Sequence, residues 1–294
     1  MAAPLLSLSG RMLSRNSSRR GWYEIHMTTL GFVLRPQFPP ERFESVIRAA
    51  DEAGLDELWL WEDCFFESGV VPAAAALAWT ENVRIGIGLL PVPLRNVALS
   101  AMEVATIERM FPGRSMIAWG HGAQKWMGQA GVRVESPLTL LREYLTVLRR
   151  LLDGEKVTVS GRYVTLDDAQ LTWPAPARIY AGAIGPKSVA LCGELADGVV
   201  IEARAGVEGV RSARELVGDT PITVYVRAAI GDGAQERIDR EKTDEFGVAN
   251  DDIPVMVERL AEAGASAVIL QPTPDEPDLE GLVRYTAGLG RGTQ

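Results

Sequence analysis

Residues 50–60 are ADEAGLDELWL, and residues 260–270 are LAEAGASAVIL. Each segment begins with the end of a helical pattern and continues through a glycine of the kind that ends helices. Each then finishes in an apolar run typical of a buried strand. The two segments therefore predict one helix–turn–strand unit that is used twice, which favours an alternating α/β architecture.

The same alternation extends through the rest of the chain, with each predicted strand followed by a helix and no linker between them. The predicted strands cover residues 30–35, 57–61, 83–90, 114–120, 178–183, 197–203, 222–230 and 266–271. We therefore predict an α/β fold, a single (β/α)8 TIM barrel with a small excursion at 155–173, between strands 4 and 5. A doubly wound open sheet is the alternative, but it usually carries a glycine-rich first turn, which LRPQFPPE is not.

Composition limits the partners that this chain can have. The 294 residues are 47% hydrophobic, enough for a large core, and no apolar run approaches the ~20 residues that span a bilayer. The net charge is −9. Residues 1–26 carry a charge of +3, so residues 27–294 carry −12. An acidic body repels nucleic acid and anionic membranes, so we expect neither as a partner. Cys64 and Cys192 are too few for a disulfide framework, which favours a cytoplasmic location.

The first 26 residues are rich in serine and arginine and lack a long apolar segment, so they fit no secretory signal. Their composition is also compatible with a transit peptide. Because Met27 directly precedes the first predicted strand, we predict a disordered N-terminal extension at 1–26 and one barrel domain at 27–294.

Polar residues at the C-terminal ends of the predicted strands are the candidates for a site, because barrel enzymes place their active sites there. Strand 2 ends in Glu62, Asp63 and Cys64, directly after the apolar run LWLW. Either carboxylate could handle a proton, or both could simply satisfy backbone donors of the following loop. Cys64 has no base nearby in sequence, so a small buried thiol is favoured over a nucleophile.

Strand 4 ends in Gly120, His121 and Gly122. Glycines here would leave room for a planar ligand close to the backbone, and the histidine could position or exchange a proton. The alternative is a histidine that caps the next loop. His121 has no second histidine or cysteine at the spacing of metal ligands, so the sequence predicts no metal site.

Strand 5 leads into AGAIGPKS, residues 181–188. Its small residues permit close backbone approach, Pro186 suits a first helical position, and a helix N-terminus with Lys187 favours an anion. A simple turn with a surface lysine is the alternative. Other polar residues at strand ends are Arg35, Gln37, Arg95, Glu202, Arg204, Arg227 and Gln271.

The segment RNVALSAMEVATIERMFPGRSMIAWGHG, residues 95–122, resembles the luciferase-like monooxygenase superfamily. Its members show an L-R-N-P-like turn, a helix with A-x-x-x-A-T-[IL], the pair G-R, and a strand ending G-x-G. The similarity continues through 136–164 and 179–201 and covers roughly 29–290. It is strongest toward the deazaflavin-dependent oxidoreductases related to methylene-tetrahydromethanopterin reductase.

This resemblance implies an oxidoreductase that transfers a hydride between coenzyme F420 and a small organic substrate. An FMN-dependent luciferase-like monooxygenase is the alternative enzyme, and a non-catalytic flavin-binding protein is the alternative of another class. We also expect a homodimer.

The resemblance also implies roles for particular residues. Gly88–Leu89 would form a bulge, often with a non-prolyl cis peptide, against the cofactor ring. His121 would line the ring edge, and the segment with Gly182, Gly185, Pro186 and Lys187 would hold the cofactor's phosphate. The expected cofactor-binding residues are Gly88, Leu89, Gly120, His121, Gly122, Ala181, Gly182, Gly185, Pro186 and Lys187.

The end of strand 2 departs from the family pattern, which is usually Asp-His. Counted from Gly54 without a gap, those positions are Glu62 and Asp63; with one inserted residue they are Asp63 and Cys64. The histidine is missing in both alignments, so the resemblance leaves Asp63 or His121 as the catalytic residue, with Glu62 as the rival of Asp63. A catalytic glutamate of some sugar-phosphate dehydrogenases falls at Ala123, so we do not expect that activity.

Overall fold

Eight parallel strands close into a barrel in the computed structural model, which describes residues 28–241 and 247–291. The strands in chain order are β1 Thr29–Leu34, β2 Glu57–Leu60, β3 Arg84–Pro91, β4 Ser115–Gly120, β5 Val157–Ser160, β6 Thr165–Ala169, β7 Ile179–Gly182, β8 Gly198–Ile201, β9 Ile222–Ala229, β10 Gly247–Ala249 and β11 Ala267–Gln271. The ring runs β1-β2-β3-β4-β7-β8-β9-β11 and closes where β11 pairs with β1. The predicted (β/α)8 barrel is confirmed; the predicted extension at 1–26 lies outside the described residues.

Helices follow the barrel strands and form the outer layer. They are α1 Phe43–Glu52, α2 Val70–Trp79, α3 Val97–Met110, α4 Gln124–Gln129, α5 Pro137–Leu152, α6 Pro186–Leu195, α7 Gly206–Val217, α8 Ala234–Arg240, α9 Asp252–Glu262 and α10 Leu279–Arg291. The sequence did not predict α4, α8 or β10, because six, seven and three residues are too few for a clear periodic pattern. The excursion after α5 is an antiparallel hairpin of β5 and β6.

The repeated unit of the sequence has the same geometry in both of its copies. Gly54 after α1 and Gly264 after α9 both adopt positive φ angles, 67° and 107°. In each turn the residue after the glycine donates its N–H to the carbonyl five residues earlier, at 3.0 Å. This is the hydrogen-bond pattern of a Schellman motif, which ends the helix and directs the chain into β2 or β11.

Side chains alternate across β2, and this alternation separates two parts of the core. Leu58 and Leu60 pack outward with the helices, whereas Trp59 packs inside the barrel. Trp59 meets Tyr180 and Tyr225 edge-on, with ring centroids 6.1 and 6.2 Å apart. The lower barrel is therefore filled with side chains, and space for a ligand remains at its C-terminal end.

Candidate functional site

A cavity of about 490 Å3 opens at the C-terminal ends of the barrel strands. This volume lies in the range of ~300–1,000 Å3 that is usual for small-molecule sites. The lining residues are Trp61, Glu62, Asp63, Gly88, Leu89, Pro91, His121, Gly122, Ala123, Trp126, Gly182, Ala183, Ile184, Gly185, Ser188, Val200, Glu202, Ala203, Arg204, Tyr225 and Gln271. A neighbouring groove of about 330 Å3, between α6 and α7, shares Ala183, Ile184, Glu202 and Arg204 with the cavity.

Asp63 lies in the cavity wall, in the segment that follows the C-terminal end of β2. Burial raises the pKa of Asp63 to about 6, and the positive charge of Arg35 opposes this shift. Asp63 is thus a carboxyl group that titrates near neutral pH inside the cavity, which suits proton transfer to or from a ligand.

Glu62 also reaches the cavity wall, but its carboxylate is engaged by the protein. Arg95 holds it in a bidentate ion pair, with Nη1–Oε1 at 2.5 Å and Nη2–Oε2 at 3.0 Å. The backbone N–H of Gly69 donates to Oε2 at 2.8 Å, and Arg95 also faces Glu103 at 3.5 Å. Glu62 therefore links the loop after β2 to the turn before α3. Because its carboxylate is occupied by these contacts, the geometry favours Asp63 as the proton-handling residue.

Cys64 is partly exposed and does not line the cavity. Burial raises the pKa of its thiol, and the negative charges of Glu62 and Asp63 raise it further. Because the thiolate is the nucleophilic form, this surrounding disfavours a reactive cysteine.

The floor of the cavity is built around Leu89. The Gly88–Leu89 peptide bond is cis, as the resemblance implies, and the pairing register between β3 and β4 shifts at this point. A Cβ atom on Gly120 would lie 2.5 Å from Leu89 Cδ2, and one on Gly182 would overlap the same side chain. These glycines therefore make room for the Leu89 side chain, which lines the cavity together with Gly182.

His121 is held by the helix that follows strand β7. Its Nε2 lies 3.0 Å from the hydroxyl oxygen of Ser188, in the first turn of α6. Burial lowers the pKa of His121, and a backbone interaction with Pro137 opposes the shift. A neutral, anchored imidazole at the cavity edge suits ligand positioning better than proton exchange.

The segment from Ala181 to Lys187 divides into buried, lining and exposed parts. Ala181 is fully buried in β7, below the cavity, whereas Gly182 and Gly185 line it. Pro186 lines the neighbouring groove, and Lys187 is exposed and lines neither space. Arg204 lines both spaces, and its Nε lies 2.5 Å from Glu202 Oε2.

Trp61, Trp126, Ser188 and Tyr225 line the cavity without having been predicted. Trp61 could have been found, because it directly precedes the carboxylates at the end of the predicted second strand. Trp126 belongs to the unpredicted α4, and Ser188 follows Lys187 in the first turn of α6. Tyr225 gives no signal, because all eight residues of β9 are buried and no alternation marks the inward ones.

In the part of the chain that the structure describes, no group of three or more His, Cys, Asp or Glu side chains could hold a metal ion. Within the same residues, no helix is long and apolar enough to span a membrane.

Comparison with known proteins finds a matching family model and several similar proteins. The family model described as luciferase-like monooxygenase matches residues 23–246. The chain is 29% identical over 208 residues to a 5,10-methylenetetrahydromethanopterin reductase of Methanolobus tindarius, covering 68% of this chain and 64% of that protein. It is 26% identical to an F420-dependent glucose-6-phosphate dehydrogenase of Beutenbergia cavernae, covering 85% of this chain and 86% of that one.

The alignments with three such methanopterin reductases span only 52–64% of their lengths. Among solved structures, an F420-dependent secondary alcohol dehydrogenase in complex with an F420–acetone adduct superposes with a TM-score of 0.79 at 22% identity. That similarity covers 90% of this chain and all of the other, and it shows a shared fold.

Proposed function

Because the chain belongs to the luciferase-like monooxygenase family, we propose that it is an oxidoreductase that transfers a hydride between coenzyme F420 and a small organic substrate. Relatives whose names state F420 dependence support this cofactor. The observation that carries the proposal is the position of Asp63, a carboxyl group with a raised pKa that lines the same cavity as Gly88 and Leu89.

The residues present fit a deazaflavin. The floor at Leu89 is apolar. The Leu89 side chain packs directly against Gly120 and Gly182, so a planar ring can lie on the floor. A Cβ atom on Gly185 would meet nothing within 4 Å, which leaves open space at the start of α6. Backbone N–H groups at a helix N-terminus are suitable donors for a phosphate. The Ser188 hydroxyl is a further donor in the tautomer in which His121 Nε2–H donates to its oxygen.

When bound, the deazaflavin supplies a ring carbon that accepts or donates a hydride. The residues of the chain bind and orient the cofactor and the substrate, and they transfer the accompanying proton. Asp63 holds that proton at the substrate heteroatom: its carboxylate removes it when the substrate is oxidised, and its neutral acid supplies it when the substrate is reduced. His121 fixes the first turn of α6 against the cavity edge through Ser188.

A titration of the purified protein with F420 and, separately, with FMN tests this proposal, with cofactor fluorescence as the readout. We expect saturable binding of F420 and weaker binding of FMN. Preference for FMN would support the monooxygenase alternative. F420 or FMN binding without turnover of any alcohol, ketone or pterin would support the non-catalytic alternative.

Phosphate binding should depend on Ser188 more than on Lys187. Ser188→Ala removes a hydroxyl that lines the cavity, so we expect a Kd for F420 that is roughly 10- to 100-fold higher, as for loss of one hydrogen bond to a charged group. Lys187→Ala removes an exposed charge, so its smaller effect should vanish at high salt. Equal, salt-independent losses in the two variants would contradict this division of roles, and an unchanged Kd in Lys187→Ala at low salt would remove Lys187 from the site.

The assembly and the location of the protein stay predictions. Apolar side chains on the outer faces of α2 and α3 support the proposed homodimer, because Val71, Leu99 and Met102 are 72%, 47% and 57% exposed. Cys64 and Cys192 are both free thiols, which supports the proposed cytoplasmic location.

A further inference from the structure

Arg35 is a buried arginine at the end of β1, next to the wall of the cavity. The parallel strands β1 and β2 pair Leu34 with Leu60, so Arg35 and Trp61 occupy the next positions along the two strands. The Arg35 guanidinium lies over the Trp61 ring, 5.9 Å from its centroid, and Trp61 lines the cavity. Arg35 is only 7% exposed. A buried positive charge therefore lies against an aromatic side chain of the cavity wall.

The contacts of Arg35 hold its guanidinium in place. Nη1 donates to Glu241 Oε1 at 3.1 Å and to the carbonyl oxygen of Pro272 at 2.9 Å. Nε donates to Gln37 Oε1 at 3.2 Å. These partners follow β1, α8 and β11, so three separate parts of the chain fix the position of a charge that does not itself line the cavity.

Asp63 follows Trp61 by two residues, and the charge of Arg35 acts on it. Burial raises the pKa of Asp63 to about 6, and the positive charge of Arg35 opposes this rise. Without that charge, the carboxyl group would be protonated in a larger share of the molecules at neutral pH. The other charged or titratable groups around the pair are Glu241 and Arg227 on the side of Arg35, and Glu62, Cys64, Glu67 and Tyr225 on the side of Asp63.

We propose that Arg35 is a positioning residue for the proton transfer, because its fixed positive charge stabilises the ionised carboxylate of Asp63. This inference rests on the proposed function, in which Asp63 must be ionised before it can accept a proton from the substrate. A counter-ion outside the cavity gives Asp63 this form without occupying its oxygens, so the carboxylate stays available to the substrate.

The test replaces Arg35 with methionine and with lysine and measures the pH at which Asp63 titrates. The NMR signal of the Asp63 carboxyl carbon, identified by its loss in Asp63→Asn, reports this pH directly, and the pH profile of substrate oxidation reports it through turnover. In Arg35→Met both midpoints should rise by about one pH unit, as for loss of a nearby opposite charge. Turnover should then fall near neutral pH and recover as the pH rises. Arg35→Lys keeps the charge and should restore most of the difference.

Arg237→Met is the matched control for the loss of a buried arginine. Arg237 is 8% exposed, faces Glu276 at 3.4 Å and does not line the cavity, so its loss should lower stability without moving either midpoint. Glu241→Gln is a second variant with the opposite sign. It removes the negative charge that Arg35 contacts, so the midpoint of Asp63 should fall, and it tests the inference if Arg35→Met does not fold.

The outcomes separate this inference from the proposed function. An unchanged Asp63 signal in Arg35→Met, or an equal shift in Arg237→Met, would overturn the role of Arg35, and the proposed function would stand if Asp63→Asn still loses turnover. An unchanged signal in Glu241→Gln would have the same meaning where Arg35→Met does not fold. A shifted signal with an unchanged pH profile of turnover would confirm the effect of Arg35 on Asp63 and show that another group handles the proton.

Discussion

Asp63→Asn is expected to lower turnover by ~10²–10⁴-fold, the usual loss when a general acid–base residue is removed. Asparagine has nearly the same shape as aspartate but cannot exchange a proton at neutral pH, so the Kd for F420 should change only a few-fold. The measurement is the rate of F420-linked oxidation or reduction with any substrate that the wild type converts, together with a cofactor titration of both proteins.

Cys64→Ser is the matched control at the neighbouring position and should leave turnover nearly unchanged, because Cys64 does not line the cavity. If Cys64→Ser abolishes turnover while Asp63→Asn does not, the thiol is the reactive group and the assignment of Asp63 is wrong.

The pKa of Asp63 predicts how the same variant affects stability. Its folded-state pKa of about 6 lies above the ordinary value of 3.8, so the ionised carboxylate destabilises the fold above pH 6, and this penalty disappears as the pH falls toward 4. Asp63→Asn should therefore be at least as stable as the wild type at pH 8 and lose that advantage below pH 4. A variant that is less stable than the wild type at pH 8 would indicate a structural role for the carboxylate.

Arg95→Met should lower the free energy of unfolding by about 3–5 kcal/mol, the range for breaking one side of a buried ion pair. Arg95 and Glu62 are only 13% and 7% exposed, so the variant leaves a buried carboxylate without its counter-ion. Urea unfolding of the wild type and the variant measures the difference.

Arg142→Met is the control, because the Arg142–Glu194 pair is 52% and 54% exposed and should contribute at most about 1 kcal/mol. Adding Glu62→Gln to Arg95→Met removes the orphaned charge and should recover part of the loss. If Arg95→Met is no less stable than Arg142→Met, the ion pair does not hold the Glu62 carboxylate. Glu62 would then again be a candidate for the proton-handling residue.

The barrel could be predicted because its signals are local. Each helix–glycine–strand segment carries its own periodicity and turn residue, and the turns at Gly54 and Gly264 form the same hydrogen bonds. The short α4, α8 and β10 lack that repetition, so they were not predicted.

The candidate site was only partly predictable, because its contacts join distant parts of the chain. Placing the site at the strand ends brought Asp63, His121 and Leu89 together, as expected. The partner of Glu62 is an arginine 33 residues away, and the contact between His121 and Ser188 spans 67 residues, so neither could be derived from spacing.

The crystal structure of the protein bound to F420 tests the central claim most directly. The deazaflavin ring should rest on the Gly88–Leu89 floor of the cavity. The Asp63 carboxyl group should lie on the open side of the ring, where the substrate binds. A ring bound outside this cavity, or bound within it with Asp63 turned away from the open face, would contradict the account.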